Sequence, residues 1–136
     1  MKRTSIHKVA AYNLQETLIV LAIIGILLLL SMPRLMPLIS KAKSIEAQAQ
    51  LKQIHNMQTL YSYSYSKFSG DFNEIDFEAP KTVKDGGTAN YEYTIISVDG
   101  DGFKARATAI TDFDRDGIFN VWEIDENGNP KQIIKD

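Results

Sequence analysis

No cysteine occurs in the 136-residue sequence. Disulfides and thiolate metal sites are therefore excluded, so a small domain here must draw its rigidity from another source, and thiol usage says nothing about compartment. Histidine is nearly absent: His7 sits in a basic N-terminal stretch and His55 among Gln, Ile and Asn, neither with a nucleophile or a second ligand at regular spacing. A Gly-rich phosphate loop and a Ser-His-Asp order are also lacking, and the chain reads as non-enzymatic. Residues 69–136 carry fifteen Asp/Glu against seven Lys/Arg, a net charge of -8 that offers nothing to nucleic acid. The length leaves room for one modest globular unit.

What is present is a long apolar run, NLQETLIVLAIIGILLLLSMP, residues 13–33, with one carboxylate, Glu16, at its mouth. Between Glu16 and Arg34 lie seventeen uncharged residues, at the short limit of what spans a hydrocarbon core of roughly 30 Å at about 1.5 Å per residue. The basic residues Lys2, Arg3 and Lys8 precede it, which places the N-terminus in the cytoplasm and the acidic half across the membrane. A secretory signal would end in small residues at a cleavage site; here Met32-Pro33-Arg34 follows, so the run reads as a retained single-pass anchor. Glu16 then needs an explanation. A carboxylate toward the centre of a bilayer costs about 2.5 to 3.5 kcal/mol unless a cation compensates it.

Reading from Tyr12, the stretch YNLQETLIVLAIIGILLLLSMP resembles the N-terminus of type IV pilins and of the major pseudopilins of type II secretion systems. Mature chains of that family begin with an aromatic residue, carry glutamate fifth, a glycine nine residues later and a proline eight beyond; Tyr12, Glu16, Gly25 and Pro33 fall on these places. The likeness covers residues 1 to about 60. It departs in having Ala11 where family leaders usually end in glycine, and Asn13-Leu14-Gln15 before the glutamate. The resemblance implies a leader of residues 1–11, cut between Ala11 and Tyr12 by a prepilin peptidase that also methylates Tyr12. In a bundle of identical helices, the new α-amino group of one subunit can then neutralise Glu16 of its neighbour.

Past residues 12–33 the helix is expected to continue through 34–68 as an amphipathic element, since no glycine or proline occurs from Ile39 to Phe68. Leu51, Ile54, Met57, Tyr61, Tyr65 and Phe68 form its apolar stripe. Pro33 and Pro37 predict a kink or melted turn near residues 29–37. Residues 69–89 read as a surface loop without periodicity. Asn90–Val98, Gly102–Thr111 and Phe119–Asp125 read as strands, with Tyr91/Tyr93/Ile95, Phe103/Ala105/Ala107/Ala109 and Ile118/Trp122/Ile124 as apolar sets and Gln132–Ile134 as a fourth strand. Asp99-Gly100-Asp101-Gly102 and Glu126-Asn127-Gly128-Asn129 predict tight antiparallel turns with residues at positive φ. The expected fold is α+β, pilin-like: a long N-terminal helix packed on a small antiparallel meander of three or four strands spanning 69–136.

DFDRDGIFNVWE, residues 112–123, meets the D-x-[DN]-x-[DN]-G-x5-E pattern of calcium loops. Asp112, Asp114 and Asp116 are the primary candidate ligands, with Asn120 and Glu123 as further ones. Four carboxylates in so short a stretch repel unless a cation joins them. Both flanks read as strands, which makes it a calcium loop in a β-hairpin; a solvated acidic turn is the alternative. The resemblance points both ways, because major pseudopilins carry a calcium-bound C-terminal loop and no cysteine, whereas pilins often end in a similar stretch without calcium.

The expected function is that of a filament subunit, nearest to the major pseudopilin of a type II secretion system, with a type IV pilus subunit and a signal-anchored monomeric Ca2+-binding protein as alternatives. Expected partners are copies of itself, minor pseudopilins or pilins, the prepilin peptidase and an inner-membrane assembly platform. The expected location is the inner membrane, single-pass, with assembly into a periplasmic or surface filament.

Overall fold

The structure, a computed structural model, describes residues 13–135. The processing residues Ala11 and Tyr12 lie outside the described residues. Two compact units divide at Leu35/Met36, and a single helix, α1 (Leu14–Tyr65), contributes to both. It starts at Asn13, whose carbonyl accepts the Thr17 N–H at 3.2 Å. It stops where Ser66 takes a left-handed φ of 54° and its N–H closes on the Ser62 carbonyl at 2.8 Å.

In the first unit α1 is apolar on every side. Leu18, Leu27, Leu28, Leu29 and Leu30 are all exposed, and the helix is long and apolar enough to cross a membrane. The melted turn expected at the prolines does not occur: helix runs without interruption through Pro33 and Pro37. Each proline removes one backbone donor, yet Leu, Met and Ile on both sides sustain the remaining ladder, and Ser31 Oγ donates to the Leu27 carbonyl at 2.8 Å.

The second unit packs the later part of α1 on a four-stranded antiparallel sheet of order β1-β2-β3-β4. The strands are β1 (Tyr91–Asp99), β2 (Gly102–Ala109), β3 (Val121–Asp125) and β4 (Lys131–Ile134). Alternation sets the register. Tyr93 opposes Ala107 and Ile95 opposes Ala105, while Ala107 and Ala105 in turn oppose Trp122 and Ile124, so one face of three strands is apolar. Ala105 and Ala107 are fully buried, with Ala47, Leu51 and Ile54 of α1 in the same core cluster. Small side chains on the sheet let the helix approach closely.

Several expectations are corrected in detail. The buried row of α1 is Ser40, Ser44, Ala47, Leu51, Ile54 and Gln58; Met57 and Tyr61 only flank the core, and Tyr65 is 63% exposed. Ile118 belongs to a loop and is exposed, and Val121 is buried in its place. Residues 69–89 are not merely a surface loop: Ile75 and Phe77 are buried, and Phe72, Phe77 and Tyr93 form successive ring contacts at 5.0 and 6.3 Å. Aperiodic spacing hid them, since a loop can supply core residues without any repeat. The β1–β2 turn contains no residue at positive φ, whereas Gly128 in the β3–β4 turn has φ 76°. A Cβ at Gly128 would also lie 2.9 Å from the His55 ring, so that turn accepts only glycine against the helix.

Four polar clamps join helix to sheet and loop. Asn90 donates through its backbone and side chain to the Glu46 carboxylate at 2.9 and 2.8 Å. Asn120 Nδ2 donates to Ser44 Oγ at 2.9 Å. Gln58, fully buried, donates to the Ser69 carbonyl at 2.6 Å and accepts the Ser69 N–H at 3.0 Å. His55 Nε2 meets the Glu126 carbonyl at 3.0 Å. Polar groups that satisfy one another, fully buried at Gln58 and Asn120, fix a single arrangement of the elements, in a chain that has no cysteine for disulfides. Gln58→Ala should leave both backbone groups of Ser69 without partners and cost about 2 to 3 kcal/mol, measured as a lower urea midpoint; an unchanged midpoint would mean that water replaces the amide at no cost.

Candidate functional site

The acidic loop between β2 and β3 is held at both ends and turned outward in the middle. Phe113 is buried, with its ring 5.8 Å from that of Tyr91 and the Lys43 ammonium 4.4 Å from its centroid. At the other end Asn120 is fully buried. Around the first anchor, one ligand atom from each of Asp112, Asp114 and Asp116 lies within 4.8 Å of the others. The turn is built by backbone donors: Arg115 N–H and Gly117 N–H donate to the two oxygens of Asp112, Asp116 N–H to Asp114, and Ile118 N–H to Asp116. Gly117 has φ 89°, and Arg115 the same left-handed sense at 67°.

The structure brings three of the five candidate ligands together. Glu123 faces away, because it follows Trp122 by one residue on β3 and successive strand residues point to opposite faces. It pairs with Arg106 across the sheet, Nη2 to Oε1 at 2.6 Å and Nε to Oε1 at 2.8 Å. Asn120 is likewise committed elsewhere, its Nδ2 to Ser44 and its Oδ1 to Gln132 Nε2 at 3.2 Å. A calcium loop that continues into a helix can bring its last carboxylate back to the metal; a loop that continues into a strand carries it away.

The expected mutual repulsion is also modified. Burial by itself would raise the Asp112 pKa, but the N–H groups of Gly117, Arg115, Asp116 and Asp114 together outweigh it and hold the carboxyl below its ordinary value. Asp125 behaves alike: burial raises it, and the Asn127 backbone and amide with the Lys131 ammonium bring it down. A carboxyl lowered on folding stabilises the fold above its unfolded pKa of 3.8 and loses that contribution as pH falls through the folded value. In metal-free buffer the melting temperature should therefore hold level from neutral pH to about 5 and drop below pH 3.8. A rise between pH 5 and 4 would mean that repulsion in the loop dominates.

Glu16 occupies the first turn of α1, where a negative charge favours the helix dipole. Its Oε2 accepts the Asn13 N–H at 3.3 Å, half of a capping box. Gly25 is in open space: a Cβ there would meet nothing within 4 Å. The chain's own fold thus makes no demand for glycine at this position, even though glycine weakens a helix by about 1 kcal/mol relative to alanine. Pro33 is accommodated within the same unbroken helix.

No family model matches the chain, and neither a curated protein nor a solved structure shows significant similarity to it.

Proposed function

We propose that the chain is a non-enzymatic structural subunit of a pilus-like filament, nearest in kind to the major pseudopilin of a type II secretion system. The observation that carries this reading is the first part of α1. Its apolar side chains are exposed on all sides, one carboxylate stands at its mouth, and its glycine answers to no neighbour among the described residues. A helix of this kind needs either lipid or like helices around it, and small residues are where membrane helices approach one another. The N-terminal resemblance, with Glu16, Gly25 and Pro33 at the family's places, favours like helices. In this reading the chain is stored as a single-pass inner-membrane protein after loss of residues 1–11, and an assembly platform moves it into the filament, where minor pseudopilins or pilins join it.

Two measurements test this. Mass spectrometry of membrane-extracted protein, from cells that contain a prepilin peptidase, should find a chain that starts at methylated Tyr12; an intact Met1 terminus overturns the reading. Single cysteines introduced along residues 17–30 should crosslink into ladders of covalent multimers in those membranes, and a crosslink-free monomer points instead to a lone anchor.

Calcium belongs to the same proposal, with Asp112, Asp114 and Asp116 as its protein ligands. Their oxygens keep lone pairs beyond those used by the backbone N–H groups, and a calcium site accepts loop carbonyls and water as well. The ion would supply cohesion between β2 and β3. Residues 36–136 expressed alone should gain about 2.7 kcal/mol at calcium a hundredfold above Kd, with magnesium far weaker. Asp114→Ala should abolish the gain, while Glu123→Gln should retain it because Glu123 belongs to Arg106. A melting temperature indifferent to calcium and to chelator would reduce the loop to an acidic turn, and would favour a type IV pilus subunit over a secretion pseudopilin.

A further inference from the structure

The second unit is electrically polarised along α1. Near Lys41 it carries a groove of about 440 Å3 lined by Leu38, Lys41, Gln48, Trp122, Gln132 and Lys135, among others. Lys41 and Lys135 are exposed, and no carboxylate lines the groove among the described residues. The opposite end of the sheet carries a hollow of about 460 Å3 lined by Asp99, Asp101 and Glu126, with Lys104 as the cation beside them. All three acidic side chains are exposed. The Glu126 carbonyl meets His55, which fixes this acidic corner against the helix. The ion pairs among the described residues, Arg106–Glu123 and Lys131–Asp125, involve neither groove lysine and none of these three carboxylates. Lys41 and His55 are fourteen residues apart on α1, about 21 Å at 1.5 Å per residue. Two patches of opposite sign are thus held too far apart to meet within one copy.

A patch and its complement at different places on one chain make a heterologous contact, which each added copy offers again. The shape fits as well as the charge. The β1–β2 hairpin turns through only Gly100 and Asp101, so its tip is slim enough to enter a groove. We propose that this tip docks in the lysine groove of a neighbouring copy, with Asp99 and Asp101 facing Lys41 and Lys135. Complementary charge of this kind sets register and orientation between partners. The loop of Asp112, Asp114 and Asp116 has the same sign, but its carboxylates already accept N–H groups of their own turn, and a calcium ion held there would cancel their charge. A free acidic peptide would meet the same lysines, yet every copy in an assembly brings the hairpin at the local concentration of the assembly itself. The inference rests on the filament-subunit reading and names a contact that joins one subunit to the next.

The chain has no cysteine, so the test is the full-length protein carrying Leu38→Cys in the groove and Gly100→Cys at the hairpin tip, in cells that contain a prepilin peptidase and the assembly platform. Leu38 is exposed, and a Cβ at Gly100 meets nothing within 4 Å. A disulfide requires Cα atoms within about 7 Å, so this pair cannot close inside one copy. Mild oxidation should give a ladder of covalent multimers from the double variant and monomers from each single variant. Lys41→Glu with Lys135→Glu should lower the ladder roughly tenfold, the effect of exposed ion pairs turned from attraction to repulsion. Asp99→Lys with Asp101→Lys in the same chain should restore it, and all four changes should leave the melting temperature unchanged because the side chains are exposed. A ladder indifferent to the reversals, or one restored equally by Asp114→Lys with Asp116→Lys, overturns the proposal. So does a single variant that dimerises as fully as the double variant multimerises, which marks collision and not docking. Absence of the ladder while cysteines along residues 17–30 still crosslink removes this contact and leaves the subunit reading standing; absence of both removes both.

Discussion

Asn120→Ala is expected to lower the stability of residues 36–136 by about 2 to 4 kcal/mol, from a cavity at a fully buried position and the loss of two side-chain hydrogen bonds. Ser44 on α1 and Gln132 on β4 both converge on this amide, so one substitution loosens the helix, β3 and β4 together. For a unit of this size each kcal/mol moves the melting temperature by about 4 to 8 °C, which places the loss at about 8 °C or more. Asn120→Asp keeps the shape but replaces the Nδ2 donor by a buried carboxylate oxygen facing Ser44, and should be worse at neutral pH than at pH 4. The same variants separate two roles for Asn120. If it is only a clamp, Asn120→Ala keeps the full calcium gain measured from its lower starting point. Loss of the calcium gain with little change in metal-free stability would return Asn120 to the ligand set.

If the chain is the filament subunit proposed above, Glu16→Ala is expected to abolish filaments while the protein still inserts and folds. The change removes a costly charge from an apolar helix and forfeits only the contact with Asn13, worth about 0.3 to 1 kcal/mol at an exposed helix start. Capping and charge pairing make different demands on Glu16, and Glu16→Gln distinguishes them. Its amide oxygen can still accept the Asn13 N–H, but it offers no charge to a neighbour's amino terminus. If charge pairing drives assembly, both variants lack filaments under electron microscopy, and crosslinks between helices fall to background. Filaments of normal number from Glu16→Gln would leave Glu16 as a cap alone. Gly25→Ala complements this pair: among the described residues nothing lies within 4 Å of the added Cβ, so a defect it causes arises between chains.

The apolar run, the length of the helix and the four strands were legible in the sequence because each rests on a local repeat. Alternation at Tyr91, Tyr93, Ala105 and Ala107 dictates which strand face is apolar wherever one face is buried, and glycine at 117 and 128 marks the turns by backbone conformation alone. The acidic triplet was legible for the same reason, since a turn of six residues closes on itself without help from the rest of the chain. Beyond that range local pattern fails. Glu123 matched the loop motif by count, but its direction is set by β3, and β3 hands it to Arg106 on β2. Ser44, Gln58 and Asn120 are polar by composition, and hydropathy assigns such residues to the surface. They lie in the core because partners from distant segments satisfy them there. Ile75 and Phe77 are core for a similar reason: an aperiodic loop folds over the end of the helix and sheet, and only the assembled unit offers it a surface to cover. The sequence by itself determined the elements and, for β1 and β2, the face that is buried, through sterics and solvation that act within a few residues. Only the tertiary structure decided which polar groups find one another, because a hydrogen bond between residues 44 and 120 exists only after every element between them has taken its place.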